Sequence, residues 1–374
     1  MDTMTPKERF LKILSFEPVD RIPLMDFGYW EETIQNWHRE GLPPEVNTTE
    51  EVEAYFGLDR GFETNSINYY TNTPQGFLWG IYPPFERTVI DETETTITYS
   101  GEEGTIVARK DGGCMPFAIK NTVETMEDFE RKVLPRMNPR DPGRLTPEFF
   151  AMIRKGRERN QPIGMWIDGF LAWPRILIGI ENLAYYYYDK PELIHTINRH
   201  HVCFVKEYLD VALKHTNIDY AWFFEDMAFN SGSLVSPAVF DEFMTPYYRE
   251  LIGYLKNRGI QKILVDSDGN TVELCKKFVE LGLDGHFPCE VNAGSEPALM
   301  RRLYPKMAFI GGIRKTPLAE GKAAIDRELG KLPPILEKGG YIPALDHRVP
   351  PEVSMENYRY YVEQKRKILT AFSD

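Results

Sequence analysis

Short apolar runs alternate with amphipathic stretches through the last two thirds of the chain. The runs at 163–167, 220–224, 262–265, 285–287, 308–310 and 341–345 are too short for buried helices and carry polar or turn-forming residues at their ends. They are expected to be buried strands. Between them, 191–215, 237–258, 271–281, 296–304 and 318–329 repeat apolar residues at helical spacing, and 354–370 closes the chain as another helix. Strand and helix therefore alternate, which is the pattern of a parallel sheet covered by helices.

The N-terminal third is less regular. Thr5 stands before Pro6, with Phe10, Leu11 and Leu14 following at helical spacing, so a capped helix opens the chain. Residues 21–27 read as a strand, and 29–39 as a helix with Trp30, Ile34 and Trp37 on one side. With a further strand near 61–65, the count reaches eight, which favours a (β/α)8 TIM barrel over an open sheet. No glycine-rich dinucleotide fingerprint follows any strand, which argues against a Rossmann fold. Thr- and Val-rich segments at 93–99 and 105–109 flank Gly101 and Gly104 and predict a β-hairpin excursion. The expectation is one barrel domain over 1–374 with an insertion at 85–120.

Composition narrows the class. A hydrophobic fraction of 42% and a charged fraction of 27% are those of a soluble globular protein. A net charge of −12 argues against nucleic acid as a partner. The four cysteines, Cys114, Cys203, Cys275 and Cys289, form no Cys-x-x-Cys and point to a reducing compartment. The first sixteen residues lack the apolar core of a signal peptide, and the most apolar region, 170–188, is interrupted by Pro174, Arg175 and Glu181, so no membrane partner is expected. A cytoplasmic location follows as the expectation.

In a barrel, functional residues stand where strands end. Here Asp168 follows the first of the six late strands, Glu225-Asp226 the second, Asp266-Ser267-Asp268 the third, Cys289-Glu290 the fourth and Asp346-His347 the sixth. So many carboxylates in one mouth call for a cation or a shared proton. The Asp266-Ser267-Asp268 and Asp346-His347 clusters are the candidate place for a metal ion, and Glu225, Asp226 and Glu290 the candidate acid/base groups. Asp268 is equally placed to cap the helix that follows it, and His347 to be a hydrogen-bonded core residue. Tyr29, Trp30 and Trp166, with Asp168, are the candidate substrate contacts, because aromatic walls suit a planar substrate.

The runs Pro6-Lys7-Glu8-Arg9, Pro18-Val19-Asp20-Arg21-Ile22-Pro23, Glu225-Asp226-Met227-Ala228, Asp268-Gly269-Asn270-Thr271, Gly311-Gly312-Ile313 and Gly339-Gly340-Tyr341-Ile342-Pro343 together resemble the uroporphyrinogen decarboxylase superfamily. The resemblance implies a (β/α)8 barrel and one of two chemistries. True decarboxylases are free of metal and cofactor and carry an Arg-Gln-Ala-Gly-Arg-Tyr run for the porphyrinogen carboxylates. Residues 25–30 here read Met-Asp-Phe-Gly-Tyr-Trp, without arginine and with Asp26. The corrinoid-dependent methyltransferases resembling methylcobamide:coenzyme M methyltransferase hold zinc by His-x-Cys and a distant Cys. Matching on Gly269-Asn270-Thr271 and Gly339-Gly340 puts Asp266, Asp268 and His347 at those positions. Oxygen and nitrogen donors make a harder site, suited to Zn²⁺ or another divalent ion. The resemblance thus implies methyl transfer from an O-methyl, possibly aromatic methoxy, substrate to a corrinoid carried by a partner protein, with self-association common among relatives. The alternative it leaves open is a metal-free decarboxylase in which Asp26 or Asp226 steers protonation.

Overall fold

The computed structural model describes residues 4–59, 66–67, 80–101, 104–110 and 117–372. Its centre is a parallel sheet whose strand order follows the chain: β1 (Ser66–Ile67), β2 (Gly164–Asp168), β3 (Tyr220–Phe224), β4 (Lys262–Asp266), β5 (Gly285–Phe287), β6 (Ala308–Ile313) and β7 (Tyr341–Leu345). The register pairs Gly164 with Tyr220, Tyr220 with Lys262, Leu264 with Gly285, Gly285 with Ala308 and Phe309 with Tyr341. Strands β2 to β7 are buried almost throughout, as a sheet covered on both faces requires. The fold is the expected (β/α)8 barrel.

The eighth position departs from expectation. Residues 21–27 form no hydrogen-bonded ladder; they run extended, and the contact with β7 is made largely by a side chain. Pro23 has no N–H to offer. Asp26 Oδ1 accepts the N–H of Leu345 at 3.0 Å, the bond that a neighbouring strand's carbonyl would otherwise take. Beyond it, Val349 N–H donates to the Gly28 carbonyl at 2.9 Å and Trp30 N–H to the Val349 carbonyl at 3.3 Å. On the other side, Asp59 N–H donates to the Leu24 carbonyl at 2.8 Å. The strand expected at 61–65 lies outside the described residues, directly before β1.

Asp26 also accepts from Tyr358 Oη at 2.8 Å, Tyr361 Oη at 2.9 Å and Lys365 Nζ at 3.0 Å. All three donors stand on the closing helix, Met355–Ala371, and the side chains of Asp26 and Lys365 are 1% and 0% exposed. Burial pushes the Lys365 ammonium down from its ordinary range, with Asp26 opposing the shift. Asp26 is thus the seam of the barrel, and the expectation that it steers protonation is corrected.

Two helices are split where one each was expected. The 237–258 stretch forms Pro237–Phe243 and Thr245–Asn257, because Pro246 cannot donate to the turn before it. The 318–329 stretch forms Thr316–Glu320 and Lys322–Leu329, parted by Gly321 at φ 102°. The opening helix, Pro6–Leu14, carries the expected cap, with Thr5 and Glu8 forming a full capping box. The helix expected at 29–39 begins two residues later, at Glu31, because Tyr29 is still paired with Val349.

Within 85–120 the hairpin is part of a four-stranded antiparallel sheet, Thr88–Glu92, Thr96–Gly101, Gly104–Arg109 and Phe117–Lys120. Among its described residues only Ile106 is buried. Among all described residues no helix is long and apolar enough to cross a membrane.

Removing the seam carboxylate as Asp26→Ala strands a buried ammonium, two tyrosine hydroxyls and a backbone N–H, and is expected to cost roughly 3–5 kcal/mol in urea unfolding. The double change Asp26→Leu with Lys365→Met removes both charges but leaves the Leu345 N–H and the Tyr361 hydroxyl unpaired, so it should remain destabilised. Full recovery in the double variant would show that the charge pair alone matters.

Candidate functional site

The carboxylates after the strands do not share one fate. Glu225, after β3, is completely buried and points away from the mouth, into the start of the Ala172–Ile178 helix. Its oxygens accept the N–H groups of Phe170, Leu171 and Ala172 at 2.8, 2.9 and 3.0 Å, and the hydroxyl of Tyr248. Burial raises its pKa against the pull of these donors. Gly169 must be glycine, since a Cβ there would lie 1.9 Å from Glu225 Oε1. The expectation of a catalytic Glu225 is therefore corrected: its oxygens are taken up by the helix start and the Tyr248 hydroxyl.

Asp226, the next residue, turns the other way through a left-handed backbone, φ 49°. Arg175 donates to its carbonyl at 2.8 Å and sits 3.6 Å from its carboxylate. Asp226, Asp268 and Glu290 border one open cavity of about 670 Å³, with Arg175, Ile180 and Phe229 on its other walls. Glu290 is oriented by the N–H of Gly269 at 2.9 Å. Two of the three expected acid/base groups thus face the same space.

Across the mouth, Asp268 Oδ2 lies 3.8 Å from His347 Nε2. Burial, then the negative charges of Asp226 and Glu290, push the Asp268 carboxyl up from 3.8 to about 7; Lys315 opposes them and Asp346 adds to them. Because 38% of the Asp268 side chain is exposed, solvent screens part of this repulsion. His347 is pushed down to about 4 by burial and by the charges of Lys315 and Arg348, so its imidazole is neutral at pH 7. Asp346 was not singled out from sequence beyond its place beside His347. It is fully buried, accepts the N–H groups of Lys315 at 3.1 Å and Val291 at 3.4 Å, and is raised to about 6 by burial.

The third expected metal ligand does not join this pair. Asp266 ends β4 as a buried residue, and its carbonyl accepts the N–H of Glu225 at 3.0 Å. Among the described residues no group of three or more His, Cys, Asp or Glu side chains is placed to hold one ion. The expectation of an Asp266–Asp268–His347 metal site is corrected accordingly. The donors present form a two-point pair, do not fit a three-ligand centre, and no reaction step is derived through a metal.

The aromatic expectation is redistributed. Tyr29 is buried, its hydroxyl 2.7 Å from that of Tyr358 and its ring edge-on to Trp37, so it packs beneath the mouth. Asp168 is also fully buried, with Trp166 Nε1 donating to it at 3.3 Å. Both are corrected as direct substrate contacts. Trp30 is exposed and Trp166 half-buried. Trp166 packs on Trp222 at 4.7 Å and on Phe224 at 5.3 Å between ring centres, Trp222 meets Phe287 at 5.2 Å, and Phe287 meets Phe27 at 5.7 Å. Phe27 then approaches His347 at 6.4 Å, and Trp30 stacks on the same imidazole at 5.7 Å. An unbroken aromatic wall runs from β2 to the Asp268–His347 pair. Sequence reasoning missed Phe27, Trp222, Phe224 and Phe287; period-two spacing of Trp222 with Phe224, on the same face of β3, was the available signal.

A family model described as "Uroporphyrinogen decarboxylase (URO-D)" matches residues 103–368. The chain belongs to the uroporphyrinogen decarboxylase family. Comparison with curated proteins finds no match. Among solved structures, the chain is similar to a B12-independent methionine synthase from Shewanella sp. W3-18-1 in complex with selenomethionine, at 13% identity over 95% of each chain and a TM-score of 0.41. It is also similar to a putative vitamin-B12-independent methionine synthase from Listeria monocytogenes, at 14% identity over 60% of this chain and 67% of the other, with a TM-score of 0.35. For this family member, the run at 25–30 supplies Asp26 to the buried seam and Phe27 and Trp30 to the wall.

A raised carboxyl lends stability below its unfolded pKa and loses it as pH rises through the folded value. Wild type should therefore lose stability between about pH 4 and pH 7 through Asp268, a loss that Asp268→Asn escapes. The variant's melting temperature is expected to exceed that of wild type at pH 8, with the gap closing towards pH 4. A gap that does not vary with pH would contradict the crowding of Asp268 by its neighbours.

Proposed function

We propose that this family member is an enzyme transferring a methyl group from an O-methyl aromatic substrate to a corrinoid carried by a separate protein. The observation that carries the reading is the aromatic wall that ends on the Asp268–His347 pair. Half-buried Trp166, Phe224 and Phe27 offer ring faces, with Trp222 and Phe287 buried behind them to hold those faces in place. Such a surface selects a flat apolar ring and excludes water from it.

The chemistry requires an oxygen to leave with the electron pair of the broken carbon–oxygen bond. Asp268 holds its proton close to neutral pH and gives it to that oxygen as the bond breaks, while the methyl group passes to the acceptor; the phenol is the other product. This is general acid catalysis, most effective when the acid's pKa lies near the working pH. His347, neutral and fixed between Trp30 and Phe27, lies beside Asp268 and positions it, and solvent returns the proton after transfer. Asp226 and Glu290 keep the Asp268 proton in place by their charge. The corrinoid, when docked, supplies a nucleophilic centre for the methyl group.

Decarboxylation is the second reading, and membership of the uroporphyrinogen decarboxylase family is what favours it. Arg175, beside Asp226 in the cavity, is a cation there that could meet a substrate carboxylate. Both readings are tested with one purified protein. Incubation with a methoxylated aromatic acid and reduced corrinoid is expected to yield the demethylated phenol. Asp268→Asn should lower kcat by about 10²–10⁴-fold, the usual worth of a positioned acid. Trp166→Ala should act mainly on KM. Release of carbon dioxide from a porphyrinogen, with no demethylation, would replace the first reading by the second.

A further inference from the structure

A second cavity, of about 690 Å³, shares no lining residue with the mouth. It lies between the Pro297–Leu303 and Pro333–Leu336 helices, with Gly312 and Ile313 at the end of β6 as its base. Leu332 and Ile335 make one wall apolar. In a chain of net charge −12 its lining carries Arg301, Arg302, Lys331 and Lys338 against Glu296 and Glu328. Glu328 is already committed, since Arg314 and Lys331 each donate to its Oε2 at 2.7 Å.

Arg301 is the unusual member. It is 6% exposed, and its guanidinium donates only to carbonyls, those of Pro305 at 3.2 Å, Met307 at 2.8 Å and Gly340 at 2.7 Å. Among the described residues no carboxylate pairs with it, and its Nε–H is buried without an acceptor. A cation held this way keeps its charge uncancelled beside an apolar cavity, where the field is weakly screened.

We propose that this cavity binds an amphipathic organic anion, an apolar ring or chain bearing one carboxylate or sulfonate, and that its occupancy is felt at the mouth. The volume is that of a small-molecule site. The apolar wall takes the body of the ligand, and Arg302 and Lys338 at the exposed rim take its charge, with the field of Arg301 behind them. The link to the mouth is a pair of hydrogen bonds. Val291 and Ile313 both line the cavity, and both hold Asp346, Val291 by its N–H to Oδ2 at 3.4 Å and Ile313 by its carbonyl, which accepts the Asp346 N–H at 2.7 Å. His347 is the next residue, so a ligand that stiffens these two supports stiffens the loop carrying His347.

The test is a fluorescence titration of the full chain with 8-anilinonaphthalene-1-sulfonate, together with hydrogen exchange at the Asp346 amide. Saturable binding and slowed exchange at that amide are expected. Ala298→Trp, which fills the cavity from an exposed helical position, should abolish this site. Arg302→Glu with Lys338→Glu, two exposed side chains whose reversal leaves the core untouched, should weaken it by about tenfold or more. Trp30→Ala, in the mouth, should leave it intact. Binding that survives Ala298→Trp and the double charge reversal overturns the site, as does binding that disappears with Trp30→Ala. Loss with Ala298→Trp but indifference to charge reversal overturns the selection for an anion, and unchanged exchange at Asp346 overturns the link to the mouth.

Discussion

The barrel is closed by one buried carboxylate. A ring of parallel strands must return to its first member, and each strand needs a partner for its N–H and C=O groups on both sides. At the seam of this protein Pro23 denies the first segment a full ladder, so Asp26 takes the bond from Leu345 with its side chain instead. A carboxylate placed there must be neutralised, and Lys365, Tyr358 and Tyr361 do so from the closing helix. One interaction therefore fastens the first segment, the last strand and the last helix. Phe27 and Trp30, the residues that carry the aromatic wall to His347, follow directly from it and inherit their positions from that fixed point.

The same economy explains most carboxylates near the strands. Backbone N–H groups left unpaired where strands end or helices begin are met by acids: Glu225 meets three, Asp346 two, Glu290 one, and at the opposite ends Asp219 meets Ile163 and Asp284 meets Ile263. Asp268 is different. Among the described residues it accepts no backbone N–H, while Asp226, Glu290 and Asp346 crowd it with charge. A carboxyl without donors among carboxylates holds a proton more tightly than any solvated one. Asp226, with two acids that also hold backbone, Glu290 and Asp346, thereby creates the chemical one.

This division also marks how far the sequence could be read. Tyr220–Phe224, Gly285–Phe287 and Tyr341–Leu345 were legible residue for residue, because a fully buried strand leaves an apolar run with sharp polar ends. The mouth as a place was legible too, since acids gather after those runs. Which acid does what was not. Glu225 and Asp226 are adjacent and alike in sequence, yet a left-handed turn at Asp226 sends one into a helix start and the other into open space. The Asp26–Lys365 contact joins residues at opposite ends of the chain, and no local pattern announces it. The Asp-x-Asp spacing led to the same kind of error: both residues belong to one extended segment, but Asp266 completes β4 as a buried member while Asp268 lies beyond the sheet.

Asp346 ties these strands of reasoning together. Its backbone continues β7 by bonding to Ile313, its carboxylate gathers the loops after β5 and β6 through Val291 and Lys315, and its charge adds to the crowding at Asp268. It has no opening to solvent and so cannot itself meet substrate. What it does is set the height and charge of the ground on which His347 and Asp268 stand. A shift of its supports by a few tenths of an ångström would change the 3.8 Å approach of that pair without touching either residue, because His347 is the next residue along the chain from the buried carboxylate. The chemistry of the mouth therefore depends on packing behind it, on the side of the barrel where the basic cavity lies.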